Sequence, residues 1–414
     1  MRKHKAEGNS GTVPKSIITL LGPAFIAAIA YVDPGNVAAN ITAGARYGFL
    51  LVWVLVVANL MAVAIQYQSA KLGLVTGKSL PELMGARLSR PARLLYWAQA
   101  ELVALATDLA EIIGGAIALQ LLFDLPLLWG GCITGAISVG LLSFQSKRSQ
   151  THFEFVIIGL LLIITAGFLT GLILNPPPIN QVASGLIPRF EGAESVLVAA
   201  SMLGATVMPH AIYLHSSLVN HRHGSLAERT TSLPRLIRGT RLDVVLALTV
   251  AGTVNIGLLL LAASALRGVD GTDDIAGAHG AIESAYGSTV GVIFALGLLA
   301  SGLASTSVGS YAGSEIMHGL IRRRIPLLYR RLITLLPALV VLAWGINPTQ
   351  ALVISQMLLS FGIPFALIPL VRLTSDKTLM GAYRDSLFLR IFSWSAVFLI
   401  ICLNLILVVL TLTS

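Results

Sequence analysis

Charged residues are scarce in this chain of 414 residues. Asp, Glu, Lys and Arg make up 11% of it, apolar residues make up 55%, and the mean hydropathy is +0.83. Because soluble domains carry about 25% charged residues, this composition excludes a water-soluble protein. The connections between the hydrophobic runs are short. They leave no room for a separate soluble domain, and therefore none for an enzyme active site outside the membrane.

Cysteine is nearly absent as well. The two cysteines, Cys132 and Cys402, both fall within hydrophobic runs. We therefore expect small apolar packing residues, and neither a disulfide nor a cysteine metal cluster.

Long hydrophobic runs fill most of the chain. A membrane-spanning helix needs about 20 mostly apolar residues. The sequence predicts an all-α integral membrane protein in which residues 1–414 form a single transmembrane domain. The first hydrophobic stretch, which basic residues precede, also resembles a signal peptide, but the membrane helices that follow it favour a first helix that is not cleaved off. Eleven runs meet the length requirement: 16–45, 49–72, 94–122, 125–145, 153–174, 194–220, 242–266, 281–308, 328–346, 350–371 and 388–411.

Basic residues alternate from one connection to the next. Of the 28 Lys and Arg residues, only Arg46, Arg189 and Arg267 fall on one predicted side of the membrane. Because cytoplasmic loops are enriched in Lys and Arg, the pattern predicts a cytoplasmic N-terminus and a C-terminus on the other side, periplasmic or extracellular. The net charge of +9 thus reflects membrane topology and does not indicate a nucleic-acid partner.

Two hydrophobic runs contain helix-breaking motifs at corresponding positions. Asp33-Pro34-Gly35-Asn36 interrupts the first run, and Met208-Pro209-His210 interrupts the sixth. Breaks at mid-membrane depth are tolerated beside a cavity or other protein, and paired breaks are typical of inverted-repeat transporters. We therefore predict one repeat at about 16–174, a second of opposite orientation at about 194–371, and an extra helix at about 388–411.

The residues at the two breaks suit a divalent cation. Asp33 offers a carboxylate, Asn36 an amide oxygen, and the unwound backbone offers carbonyls around Ala30 and Ala205. The thioether of Met208 favours manganese, ferrous iron, cobalt or cadmium over calcium and magnesium. The alternative is that Met208 merely fills space, as methionine often does in membrane helices.

These two motifs resemble those of the Nramp family, specifically the bacterial proton-dependent manganese transporters, and the resemblance extends over essentially the whole chain. It implies a LeuT-like fold and inward co-transport of Mn²⁺ or Fe²⁺ with protons across the bacterial inner membrane, the metal being substrate and not cofactor. Thr42 departs from the family pattern, in which glutamine is frequent. The implied metal ligands are Asp33, Asn36, Met208 and the Ala205 carbonyl, joined in the outward-open state by the Ala30 carbonyl and Gln356.

The third run carries acids in an otherwise apolar stretch. Asp108 and Glu111 are three residues apart and share a helix face, which favours a proton relay over packing. The resemblance implies that Asp33, Asp108, Glu111 and His210 carry or gate the proton. It also implies that Arg330 and Arg331 pair with acids of this run, although both also fit a positive-inside anchor. Glu101 could be only a solvated cap.

Other functions remain open from the sequence. The same fold serves sodium- or proton-coupled transporters of organic solutes, and a metal channel or sensor is a further alternative. His215 is expected to be a hydrogen-bonded helix histidine, and His221 and His223 a solvated loop. The outer residues Asp270, Asp273 and Asp274 could attract cations weakly. The choice between Mn²⁺ and Fe²⁺, the proton stoichiometry and the oligomeric state are not determined.

Overall fold

A computed structural model describes residues 21–413 except 148–149, 175, 225, 228, 230, 273 and 324–325. The described part is helical and contains no β-strand. The basic residues of the N-terminus, Arg148 and Asp273 lie outside the described residues.

The α-helices follow one another with short connections. In chain order they are α1 (Pro23–Ile29), α2 (Pro34–Tyr47), α3 (Val52–Thr76), α4 (Leu80–Arg87), α5 (Arg90–Phe123), α6 (Leu127–Lys147), α7 (Gln150–Leu174), α8 (Ile179–Ser184), α9 (Gly192–Thr206), α10 (Pro209–His223), α11 (Leu233–Ala265), α12 (Ile275–Tyr286), α13 (Ser288–Ile321), α14 (Leu327–Ala343), α15 (Pro348–Thr374), α16 (Lys377–Met380) and α17 (Leu387–Thr413).

The membrane character of the chain is clear, although its exact number of spans is not fixed. By length and composition, eight helical spans of the described residues can cross a membrane, with α9 and α10 counted as one, and the bent pair α1–α2 makes a ninth. Helices α6 and α14 occupy the fourth and ninth predicted runs, but neither is among the spans that meet the length and composition test within the described residues. Eleven spans therefore remain a prediction.

The eighth predicted run, 281–308, differs from the observed helices. The structure has a separate helix α12 that ends at Tyr286, and α13 then continues to Ile321. Gly287 lies between them with a φ of 91°, a conformation that side-chain-bearing residues rarely adopt, and it ends α12. Hydropathy averaged over about 20 residues does not resolve a single glycine, so the sequence predicts one continuous run here.

Helix α13 packs closely against α5. A Cβ atom at Gly302 would lie 3.0 Å from the carbonyl oxygen of Glu111, a contact that only a small residue allows easily. This close crossing brings the polar residues of α13 to the acids of α5.

The beginning of α1 is fixed to α11. Both carboxylate oxygens of the buried Asp243 accept hydrogen bonds, one from the backbone N–H of Gly22 and one from that of Ala24, each 2.9 Å long. Since the first N–H groups of a helix have no partner within the helix, Asp243 satisfies donors that would otherwise be buried unpaired.

Candidate metal-binding site

The first break separates α1 from α2. A 3₁₀ turn, Ala30–Val32, follows α1, and Asp33 is extended with φ −70° and ψ 165°. Pro34 then begins α2, since proline has no N–H to lose at the first position of a helix. The two helical parts are bent by 47°, and the Asp33 carboxylate caps α2 by accepting the Asn36 N–H at 2.9 Å.

The second break separates α9 from α10 in a similar way. Helix α9 ends at Thr206, Met208 is extended with φ −72° and ψ 115°, and Pro209 begins α10. Met208 is fully buried. Each break therefore places one candidate ligand directly before a helix-starting proline.

The two breaks meet at the side chain of Asn36. Its Nδ2 atom donates to Asp33 Oδ1 at 2.6 Å and to the carbonyl oxygen of Ala205 at 2.8 Å. Two acceptor oxygens from different helices thus converge on one small polar centre. Such convergence of a carboxylate and a carbonyl fits a hard or borderline cation.

Gln356 of α15 completes this group. Its Nε2 atom lies 3.5 Å from Asp33 Oδ2. In the part of the chain that the structure describes, the amide oxygens of both Asn36 and Gln356 are buried without a hydrogen-bond partner. These two oxygens are acceptors that a cation could use.

Gly35 allows Gln356 to reach Asp33. A Cβ atom at Gly35 would lie 1.6 Å from Gln356 Nε2, so any other residue would displace the glutamine. The absence of a side chain at Gly35 thus leaves the space that the Gln356 side chain occupies beside Asp33.

Met208 and Ala30 also lie at the breaks, and their relation to the site is given by their positions along the chain. Ala30 begins the 3₁₀ turn three residues before Asp33, and Met208 follows Ala205 by three residues. Within the described ranges, no group of three or more His, Cys, Asp or Glu side chains is arranged to hold a metal ion. A metal at the breaks would therefore be bound by a mixed set with one carboxylate.

The carbonyls freed by the first break are satisfied by neighbouring helices. Asn255 of α11 donates to the Tyr31 carbonyl at 2.6 Å, and Ser301 of α13 donates to the Val32 carbonyl at 2.5 Å. Asn40 donates in turn to Asn255 at 2.9 Å. These bonds stabilise an unwound turn within the membrane.

Asp108 and Glu111 of α5 share the face that packs on α13. A Cβ atom at Gly309 would lie 3.0 Å from Glu111 Oε1 and 3.7 Å from Asp108 Oδ1. Ser305 donates to Glu111 Oε1 at 2.7 Å. The structure therefore places both buried acids on one side of α5, as the spacing predicts.

Two arginines of α14 point into the protein. Arg331 forms an ion pair of 2.8 Å with Asp108, and Arg330 forms one of 2.8 Å with Glu101. Arg331 also donates to Ser138 and Thr306. Since both arginines are buried, their position favours pairing over a role as exposed anchors, and Glu101 is not simply a solvated cap.

The two histidines of α10 differ in their surroundings. His210 is buried, and neither of its ring nitrogens has a hydrogen-bond partner among the described residues. His215 Nδ1 lies 2.8 Å from Gln66 Oε1, and Gln66 donates to the Tyr31 hydroxyl at 2.7 Å. His215 is thus the hydrogen-bonded helix histidine that was expected.

Comparison with known families identifies the chain. Residues 24–410 match the model of the family described as "Natural resistance-associated macrophage protein-like", or Nramp. The chain belongs to the Nramp family. Nramp proteins are transporters and not enzymes, and the metal is their substrate and not a cofactor. The resemblance of the two motifs to this family is confirmed.

Curated Nramp relatives cover nearly the same length. The "Divalent metal cation transporter MntH" of Mycobacterium tuberculosis is 56% identical over 395 residues, which are 95% of this chain and 92% of the relative. The protein of the same name from Deinococcus radiodurans is 44% identical over 392 residues, 94% of this chain and 89% of the relative.

Solved structures agree with the fold. A variant of the manganese transporter of Eremococcus coleocola has a TM-score of 0.85 and 30% identity, covering 96% of this chain and 88% of that chain. MHP1, a nucleobase-cation-symport-1 family transporter, has a TM-score of 0.57 at 18% identity, covering 92% and 84% of the two chains. The Nramp protein described here thus has the expected LeuT-like fold.

This Nramp protein has a cavity of about 380 Å³ between α2, α9 and α15. Asp274, Glu194 and Met357, the residue after Gln356, contribute to its lining, as does Thr42. Asp33, Asn36 and Gln356 are fully buried and do not line it. The candidate site is therefore closed off from this cavity.

His221 lies in the last turn of α10, where it is exposed to solvent. Its Nδ1 atom is hydrogen-bonded to the hydroxyl group of Tyr311, and the two rings stack with centroids 6.1 Å apart. His221 is therefore exposed to solvent, as expected, but it lies at the end of a helix and contacts α13, so only its assignment to a loop is corrected.

Proposed function

We propose that this protein transports divalent transition-metal ions, Mn²⁺ and Fe²⁺ and also Co²⁺ and Cd²⁺, into the cytoplasm together with protons. The observation that carries the proposal is the convergence of Asp33 Oδ1 and the Ala205 carbonyl on Asn36 Nδ2 between two broken helices. The printed names of the relatives, a divalent metal cation transporter and a manganese transporter, support the choice of substrate.

The proposed ligands are those of the two breaks. Rotation of the Asn36 amide would present its oxygen to a cation held between Asp33 and the Ala205 carbonyl. Met208 adds a soft thioether, which favours transition metals over calcium. In an outward-open conformation we assign the Ala30 carbonyl and Gln356 as additional ligands.

The proposed proton pathway runs from the site along α5. Asp33, Asp108, Glu111 and His210 carry or gate the proton, and Arg330 and Arg331 hold charge near the acids. The Arg331–Asp108 ion pair and the Ser305–Glu111 hydrogen bond support this assignment, because both place the acids in a fixed, buried arrangement. Titratable groups buried in a membrane protein commonly serve proton relays.

The bacterial relatives and the distribution of basic residues support a location in the bacterial inner membrane, with a cytoplasmic N-terminus and the C-terminus on the opposite side. Transport would proceed by alternating access, with one group of helices moving around the site.

Uptake of Mn²⁺ into proteoliposomes tests the metal site. Because Asp33→Asn removes the one charged ligand, we expect at least about a tenfold loss of uptake. Asp124→Asn is the matched control, since Asp124 is exposed and its positive φ of 54° is tolerated by Asn. If the native chain admits no metal, or if both variants transport equally, an organic-solute transporter of the same fold becomes the better interpretation.

Proton entry is measured separately, with a pH-sensitive dye inside the same vesicles. Glu111→Gln keeps the shape and the Ser305 contact but cannot release a proton. We expect Mn²⁺-stimulated acidification to fall about tenfold. Glu283→Gln, at an exposed position of α12, should leave it unchanged. Unchanged acidification with Glu111→Gln would exclude Glu111 from the pathway.

A further inference from the structure

The three arginines on the predicted outer side come together in space. Arg46 lies in the last turn of α2, Arg189 between α8 and α9, and Arg267 just after α11. Arg189 and Arg267 line a cavity of about 480 Å³, and Arg46 and Arg267 line an adjoining one of about 350 Å³. Topology explains why this side has so few basic residues, but it does not explain why they converge.

Two of these arginines are contacted by Gly48, in the α2–α3 connection, and by Trp53, at the start of α3. Arg267 packs over Gly48, where a Cβ atom would lie 2.8 Å from an Arg267 guanidinium nitrogen. Trp53 Nε1 donates to the carbonyl oxygen of Arg189 at 3.3 Å, and the Trp53 ring meets Phe190 edge-on at 5.4 Å. The segment from Gly48 to Trp53 thus contacts both sides of the larger cavity.

The larger cavity combines polar and apolar walls. Tyr47, Gln181 and Ser184 offer hydrogen-bonding groups beside the two arginines, and Phe49, Leu50 and Phe190 offer apolar surface. The lining residue Glu191 adds one negative charge, so the cavity keeps an excess of one positive charge.

Exposed apolar side chains stand beside this cavity. Ile179 is 85% exposed, Ile187 61% and Leu186 50%, all on α8 or directly after it. Exposed apolar side chains next to polar ones suit the membrane interface, where they would contact acyl chains. We therefore infer that the cavity opens at the depth of the lipid headgroups.

We propose that the cavity lined by Arg189 and Arg267 binds the phosphodiester headgroup of an anionic phospholipid. Two guanidinium groups can donate to phosphate oxygens with a geometry that lysine does not match. The hydroxyl and amide groups of Ser184 and Gln181 suit the glycerol part of the headgroup. This proposal does not depend on the transported substrate, because no proposed metal ligand lines the cavity.

Lipid titration of the purified full-length chain, followed by native mass spectrometry, tests the proposal. Phosphatidylglycerol is compared with phosphatidylcholine. An arginine near a membrane surface contributes about 1 kcal/mol, so Arg189→Gln and Arg267→Gln should each weaken phosphatidylglycerol binding about fivefold and together about 25-fold. Glu191→Gln should strengthen it, since it removes the opposing charge.

The double variant Arg90→Gln/Arg238→Gln is the matched control, because both arginines are exposed and lie on the predicted cytoplasmic side. It should leave binding unchanged, and all variants should keep the melting temperature of the native chain. Equal binding of the two lipids, or an equal loss in the control, would overturn the proposal. Displacement of the lipid by inorganic phosphate or glycerol phosphate would instead assign a site for free anions.

Discussion

Asp33 combines a structural and a proposed chemical role in one side chain. A carboxylate at mid-membrane depth costs about 2.5–3.5 kcal/mol on insertion scales. Here the Asn36 backbone N–H and side-chain amide both donate to Oδ1, which offsets part of that cost. The residue that ends the 3₁₀ turn is thus also the residue that presents negative charge to the site.

Met208 is expected to set selectivity between transition metals and calcium. Met208→Ala removes the thioether and leaves only oxygen ligands, so excess Ca²⁺ should compete with Mn²⁺ uptake about tenfold more effectively. Competition in proteoliposomes measures this change.

Met202→Ala provides the control for lost packing. Met202 is also fully buried in α9, but it lies one and a half turns before Met208 in a regular helix. Met202→Ala should lower the stability of the protein without changing how effectively Ca²⁺ competes with Mn²⁺ uptake. Equal calcium sensitivity of the two variants would show that Met208 acts only through packing.

The sequence predicts the site residues that lie at helix breaks, but it does not predict the hydroxyl and amide side chains that lie within regular helices. Asp33, Asn36 and Ala205 stand at helix breakers, which mark their positions, and the structure brings them together. Gln356 was found only through family resemblance. Ser305, Thr306 and Gln66 were not predicted, because hydroxyls and amides are common in membrane helices. Thr165, for example, donates to the Leu161 carbonyl of its own helix. Their partners lie far away in the sequence.

At the scale of elements, the helix α1 depends on a neighbour for its first turn. Asp243→Ala leaves the N–H groups of Gly22 and Ala24 without their buried acceptor. Loss of such a hydrogen bond costs about 1–3 kcal/mol, so amide exchange in α1 should become about tenfold faster or more. Hydrogen–deuterium exchange followed by mass spectrometry measures the exchange rate of these amides.

Asp274→Ala serves as the matched control for this prediction. Asp274 caps α12 by accepting the Gly277 N–H at 2.7 Å. Its loss should speed exchange at the start of α12 and leave α1 unchanged. Similar changes in α1 for both variants would indicate general destabilisation.

Helix boundaries were predicted less well than helix existence. The short helices α4, α8 and α16 lie in connections that hydropathy treats as loops, and the end of α12 depends on a single glycine. Hydropathy averages over about 20 residues, so it does not resolve a break of one.

For the whole molecule, orientation in the membrane is the main untested expectation. In a background with Cys132→Ala and Cys402→Ala, we expect Gly280→Cys to react with a membrane-impermeant maleimide in intact cells stripped of the outer membrane. Lys78→Cys should react only after permeabilisation. Both positions are exposed. The reverse pattern would invert the topology.

The two breaks at corresponding positions predict an inverted-repeat transporter, and the family resemblance implies a LeuT-like fold. The match to MHP1 and to the manganese transporter confirms the LeuT-like class. Division into two inverted repeats stays a prediction, because the order of helices alone does not demonstrate a symmetry axis.

Two helical segments end and two begin at the candidate site. Aligned peptide dipoles place roughly half a positive charge at the start of a helix and half a negative charge at its end. The starts of α2 and α10 therefore repel a cation, whereas the ends of α9 and the 3₁₀ turn attract it. These contributions oppose one another, so a divalent ion at the proposed site would be held mainly by the single charge of Asp33. The helix ends would thus limit how tightly the ion binds, which would favour its release.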